Sequence, residues 1–194
     1  MAFLGLAIFL FIQFYQQEKK IGSTNSGKGG DVSEEHFSFI KCLETFQDDL
    51  DISRSREELV ESIADFCTEN FTFDKLTLIF LDAEKKDVAV AVEVMGYKDD
   101  FGSETLFNRE ESLLWKVLDG EDSTHIDLTD PSFIDGGRFS KGDTQDHHFF
   151  SFIGAPIQTS DQTIGCLVLE SFSSGHYCKN EGRNLHILST RLGV

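Results

Sequence analysis

At 194 residues the chain suits one domain with short extras. Its 17 Lys+Arg against 34 Asp+Glu give a net charge of −17, and no Lys/Arg stripe runs along it, so phosphate backbones are repelled and nucleic acid is excluded as a partner. The four cysteines, Cys42, Cys67, Cys166 and Cys178, form no CxxC pair and read as reduced thiols, while 19 Phe supply enough ring surface for a core that needs no disulfide.

The chain opens on an uninterrupted apolar run, Ala2 to Ile12. Extended to Tyr15 it makes a helix of only ~21 Å at 1.5 Å per residue, against the ~30 Å of a bilayer core. A signal peptide would carry a positive n-region and a small-residue cleavage site. A buried helix would rarely be apolar on every face. The reading adopted is a short or partial membrane span, with Phe14 and Tyr15 at the interface and Lys19 and Lys20 beyond it. The positive-inside tendency then puts the rest of the chain in the cytoplasm. The expected division is an N-terminal membrane-anchor helix at 1–20, a flexible linker at 21–32 and a folded domain at 33–194, held at the cell inner membrane. Within the linker, GKGG lacks the spacing of a phosphate loop.

Phe37, Ile40, Leu43, Phe46 and Leu50 recur at helical steps. A second helix starts at Ser55, whose spacing to Glu58 is that of a capping box, and carries Leu59, Ile63 and Phe66 with Val60 and Cys67 beside them. Lys75 to Asp82 and Val88 to Gly96 alternate as strands of a hairpin across a charged turn. Leu113, Leu114, Val117 and Leu118 mark a short helix that Gly120 ends. Thr124 to Phe133 reads as a short strand and turn, stopped by Asp130-Pro131, and the Gly-rich, charged stretch Ile134 to Asp146 reads as a loop.

A second hairpin follows, Phe149 to Ile157 and Thr163 to Glu170 around a bend at Thr159 to Gln162. Pro156 cannot donate to a ladder, so its place is an open edge or a strand end. Asn180 reads as the cap of a last helix carrying Leu185, Leu188 and Leu192. Both hairpins are apolar on both faces, so both faces of the sheet should be covered. The terminal helices are assigned to one face and Tyr97 to His148 to the other. The fold class is α+β.

The segment HIDLTDPSF, a loop, then SFIGAPIQTSDQTIGCLVLESF and a terminal helix resembles a GAF domain. The matching features are Asp127, Asp130-Pro131, the small-residue strand Ser151 to Pro156 and Ile164-Gly165-Cys166-Leu167, and the resemblance covers about Arg54 to Val194. It implies a GAF-like central antiparallel sheet of six strands, helices on one face and a loop and short-helix lid on the other, here preceded by the hydrophobic N-terminal helix. It also implies a small-molecule pocket under the lid and a regulatory role, often as a dimer, feeding an output such as a diguanylate cyclase or histidine kinase. The chain ends inside the terminal helix, where relatives continue into an output domain, so the expectation is a fragment or a partner-dependent regulator. The Asn-Lys…Phe…Asp-Glu signature of the cyclic-nucleotide subset does not occur, nor does the Cys-His pair of the bilin-binding subset. The cysteines that the free methionine sulfoxide reductase subset places before its pocket helix have no counterpart in Tyr97 to Ser112.

The ligand-contacting candidates are Trp115, Asp127, Phe133, Arg138, His148 and Phe150. Three of them have a plainer reading. Trp115 suits core packing on the short helix. Arg138 suits an exposed loop, or else a pair with an anionic ligand. His147 and His148 adjoin at a strand entrance and would point to opposite faces, so they do not form one metal site. No catalytic residue and no metal are assigned, and the cofactor is left unknown. The expected partners are an unidentified small molecule, a second copy through the terminal helices and the membrane. The expected module is not an enzyme. The competitors are a dimerisation scaffold whose interior its own Phe side chains fill, and a thiol-dependent reductase, which needs a low-pKa Cys beside a base.

Overall fold

The structure, a computed structural model, describes residues 38–46, 55–97, 101–128, 137–140 and 148–193. The expected anchor, linker, Asp130-Pro131 turn, Phe133 and His147 lie outside these residues. Among the described residues, no helix is long and apolar enough to cross a membrane.

Residues 38–46 are helical (α1) and bury Phe39, Leu43 and Phe46. The next helix, α2, spans Arg56–Asn70. Ser55 and Glu58 close the capping box expected from their spacing, at 3.3 Å and 3.2 Å. The strands are β1 (Lys75–Leu81), β2 (Val88–Gly96), β3 (Leu106–Asn108), β4 (Thr124–Asp127), β5 (Ser151–Gln158) and β6 (Thr163–Ser171). Helix α3 (Leu113–Leu118) precedes β4, and α4 (Lys179–Leu192) ends the described chain. The strands form one antiparallel sheet in the order β3-β2-β1-β6-β5-β4. The two hairpins therefore meet through β1 and β6 at the centre.

Strand alternation sends one set of side chains to each face. Leu76, Leu78, Ile153, Ile157, Leu167 and Leu169 pack with α1, α2 and α4. Ile79, Ala89, Ala91, Phe152, Cys166 and Val168 pack with α3, Phe107 and Phe139. Both faces are covered, as the doubly apolar strands required. Pro156 sits beyond Gly154, the last β5 residue that β4 reaches, so no strand pairs there on its outer side.

Three details depart from the sequence reading. Strand β5 begins at Ser151, so Phe149 and Phe150 precede it. Cys178, rather than Asn180, is the N-cap of α4, and its N–H donates to Glu181 Oε2 at 2.6 Å. Part of the middle segment is not lid at all: β3 extends the sheet beyond β2.

The β1–β2 register slips between Leu78 and Ile79, leaving Val92 as an extra residue on β2. Ala89 and Ala91 face the lid, and strict alternation would send Glu93 there too. The bulge turns it to the helix face instead. Glu93 is half-buried there, and desolvation raises its carboxyl pKa, partly opposed by the Val94 N–H. A carboxyl whose folded pKa is raised weakens the folded state above that pKa, and the penalty fades as pH falls towards the unfolded value of about 4.3. Glu93→Gln should therefore raise the melting temperature at pH 7, with the gain shrinking to nothing near pH 4 in a pH series of thermal melts.

Candidate functional site

Among the described residues, the fully buried charged side chains lie on the lid face. Glu170 follows Leu169 on β6 and so points to the lid, with no exposed surface. Lys75 is its register partner on β1 and is equally buried. Lys75 Nζ lies 3.4 Å from the Phe101 ring centroid and 5.6 Å from that of Phe139, a cation on aromatic faces. Arg138 Nη1 donates to Glu170 Oε1 at 2.5 Å. Its guanidinium also lies over Phe149, 5.1 Å from the ring centroid. A chain of net charge −17 thus buries a lysine, an arginine and one glutamate side by side.

Arg138 is placed by α3. The carbonyls of Gly137 and Arg138 accept the N–H groups of Leu113 and Leu114 at 2.9 Å and 2.8 Å, satisfying donors that the first turn of a helix leaves over. The reading of Arg138 as an exposed loop residue is thereby corrected: it is 4% exposed. The sequence around it is polar, but Glu170, 32 residues away, draws the guanidinium inward.

Of the other candidates, Trp115, His148 and Phe150 make no described contact with this cluster. Trp115 is buried, and its indole N–H donates to the Asn108 carbonyl at 3.0 Å, tying α3 to β3. Arg109 lies over its ring. Asp127 is on β4, its backbone paired with Ser151. His148 is exposed, edge-on to Tyr97 at 6.5 Å. Phe150 is 44% exposed. Beside the cluster, Tyr97, Phe149 and Phe172 pack as a ring triad, with Phe149 and Phe172 stacked at 4.8 Å. Lys75 and Glu170 were missed by the sequence reading, although each is a charge at a lid-facing position of an otherwise apolar strand, which is an available signal.

The Asp74 carboxylate braces the strand ends beside the cluster. Asp74 Oδ2 accepts from Ser171 Oγ and the Phe172 N–H at 2.9 Å and 2.8 Å. Gly96, at φ +93, closes the opposite strand end, where a Cβ would stand 2.2 Å from the Asp74 carbonyl oxygen. The Tyr177 phenol is pushed well above its ordinary pKa by burial and by Glu170, Asp74 and Glu181 nearby. Cys166 on the lid face and Cys67 in the helix-side core are fully buried, and burial pushes both thiols far up. Among the described residues, no group of His, Cys, Asp and Glu is arranged to hold a metal ion.

A six-stranded antiparallel sheet in this order, with helices on one face and a short-helix lid on the other, decides the fold. It is the GAF fold. The GAF domain of a phosphoenolpyruvate-protein phosphotransferase from Coxiella burnetii superposes with a TM-score of 0.65 at 16% identity, over 81% of this chain and 92% of that one. The GAF domain of a two-component sensor histidine kinase from Bacillus halodurans gives 0.55 at 16% identity, over 71% and 93%. The free methionine-R-sulfoxide reductase of Neisseria meningitidis, in complex with its substrate, gives 0.61 at 13% identity, over 87% and 92%. No family model matches the sequence, and no curated protein matches it. The reductase corrects one expectation. The chain was read as not an enzyme, but GAF folds as similar to it as the sensors include reductases from Neisseria meningitidis and Staphylococcus aureus. The GAF fold therefore does not set this chain apart from enzymes.

Proposed function

We propose that the chain is a small-molecule-sensing regulatory domain of a signal-transduction protein, and that its lid-face cluster reads a small anion. In this proposal residues 1–20 tether it to the cytoplasmic side of the inner membrane, and its terminal helices pair two copies. The downstream output is a diguanylate cyclase or histidine kinase domain. The observation that carries the reading is the buried Arg138–Glu170 pair, joined through Arg138 to the lid helix. Ionic side chains are buried at a cost, and such groups concentrate where ligands are read. An anion that takes the guanidinium in place of Glu170 leaves Glu170 facing Lys75, its register partner.

The route onward is short. Movement of Arg138 shifts the start of α3, whose first N–H groups it helps to hold. The far end of α3 is held by Gln158, whose Nε2 donates to the Gly120 carbonyl at 3.0 Å. The backbone of Gln158 abuts the end of α4: a Cβ on Gly193 would stand 1.8 Å from the Gln158 carbonyl oxygen. His186 Nδ1 on α4 also lies 3.8 Å from Asp122 Oδ1, just after α3. Lid and terminal helix thus share one residue, and a two-position lid would bias α4. Gln158→Ala should cost about 0.5–1.5 kcal/mol, the net worth of a hydrogen bond, and should speed amide exchange at the ends of both α3 and α4 rather than at one alone.

Thermal melts of the full chain with formate, acetate, succinate and inorganic phosphate test the reading. A bound anion raises the melting temperature progressively, by RT ln(1 + [L]/Kd) in free energy. A flat response to every anion would overturn it. The rings of Phe107, Phe139 and Phe152 on the lid face favour a second reading, a dimerisation scaffold with a self-filled interior. That scaffold would sediment as a dimer and show no anion response.

A further inference from the structure

On the opposite face of the sheet, α2 and β2 leave a groove of about 700 Å³ between them. Its floor is apolar: Val60 and Ala64 from α2, Val90, Val92 and Met95 from β2. Its two banks are acidic. Glu57, Glu61 and Asp65 stand along α2, and Glu93 with Glu104 stands along the strand side. Among the described residues, no Lys or Arg lines it and none of these five carboxylates has a salt bridge.

Two features set the groove apart from a chance cluster of acids. Glu57, Glu61 and Asp65 repeat at i, i+4 and i+8, a spacing at which like charges destabilise a helix. The β2 bulge breaks strict alternation and turns Glu93 onto this face, where it sits half-buried against apolar side chains. Helix and strand each break a local rule, and both breaks put negative charge on the same apolar floor. Rule-breaking without a local gain points to a use.

We infer that the α2–β2 groove docks a basic amphipathic helix of a partner protein, its apolar stripe on Val60, Val90, Val92 and Met95 and its Lys/Arg flanks against the two acidic banks. Glu57 to Asp65 spans about 12 Å at 1.5 Å per residue, so the matched stretch is two turns. Helix-in-groove recognition reads anchors at this scale. A second copy presenting the same groove would set acid against acid, in a chain already at −17, so charge opposes a symmetric contact. This surface is separate from the lid-face cluster, and its reading stands without the proposed anion.

The test is an anisotropy titration of the full chain with a labelled 14-residue helical peptide of Leu and Lys, Leu on one stripe and Lys on both flanks. The comparison peptide has the same composition in scrambled register. The patterned peptide should bind at least tenfold more tightly than the scrambled one at 0.1 M salt. Glu57→Gln/Glu61→Gln, which removes a like-charge pair and so should fold, is expected to weaken binding at least tenfold. Val92→Gln, checked by its melt, should also weaken it by blocking the floor. Equal affinity for both peptides, displacement by spermine at matched charge, an unaffected double variant, or no binding at all overturns the inference.

Discussion

Glu170→Ala is expected to destabilise the domain by about 3–5 kcal/mol in urea unfolding, because removing one member of a buried ion pair strands its partner. Both side chains are almost fully buried, at 5% and 0% exposed, so solvent screens the pair little. Changing both members to apolar groups of similar size should be far milder. Arg138→Met/Glu170→Leu is predicted to recover more than half of the single variant's loss, since well-packed apolar replacements of buried pairs are often near neutral. Equal losses in the single and double variants would show that the pair contributes nothing as a pair. The outcome bears on function as well as stability. A pair that folding can do without, but that is expensive to break singly, is suited to being exchanged for a ligand.

Phe139→Ala should cost a similar amount, about 3–5 kcal/mol, as for other buried Phe truncations. Its ring is fully buried and touches Phe101, Phe107 and Phe152 at centroid distances of 4.8, 5.5 and 6.2 Å. It also shields Lys75, whose Nζ lies 5.6 Å from its centroid. Phe139→Leu, which keeps most of the volume, should lose clearly less. If Phe139→Ala lost under 1 kcal/mol, the lid would not be packed on the sheet as described.

The central hairpins were legible because strand alternation is a short-range signal. Lys75–Leu81 and Val88–Gly96 fall within a residue of the reading, and so does the capping box at Ser55. What failed depended on distant partners or on brevity. Strand β3 has three residues and one buried side chain, Phe107, too little for a period to show. Arg138 sits in a Gly-rich, charged stretch, and only Glu170 across the sheet explains its burial. The N-cap of α4 moved to Cys178 because Glu181, three residues on, reaches back to its N–H, and a cysteine is a weak cap signal. The groove was invisible because it depends on register: without the bulge, Glu93 would belong to the lid face.

In the proposed reading, the Arg138–Glu170 pair is where a small anion is exchanged for Glu170. Parallel melts of the wild type and of Arg138→Met/Glu170→Leu, each titrated with formate, acetate, succinate and phosphate, test it most directly. At least one anion should raise the wild-type melting temperature with concentration and leave the double variant unmoved. Identical shifts in the two proteins, or none in the wild type, would contradict it.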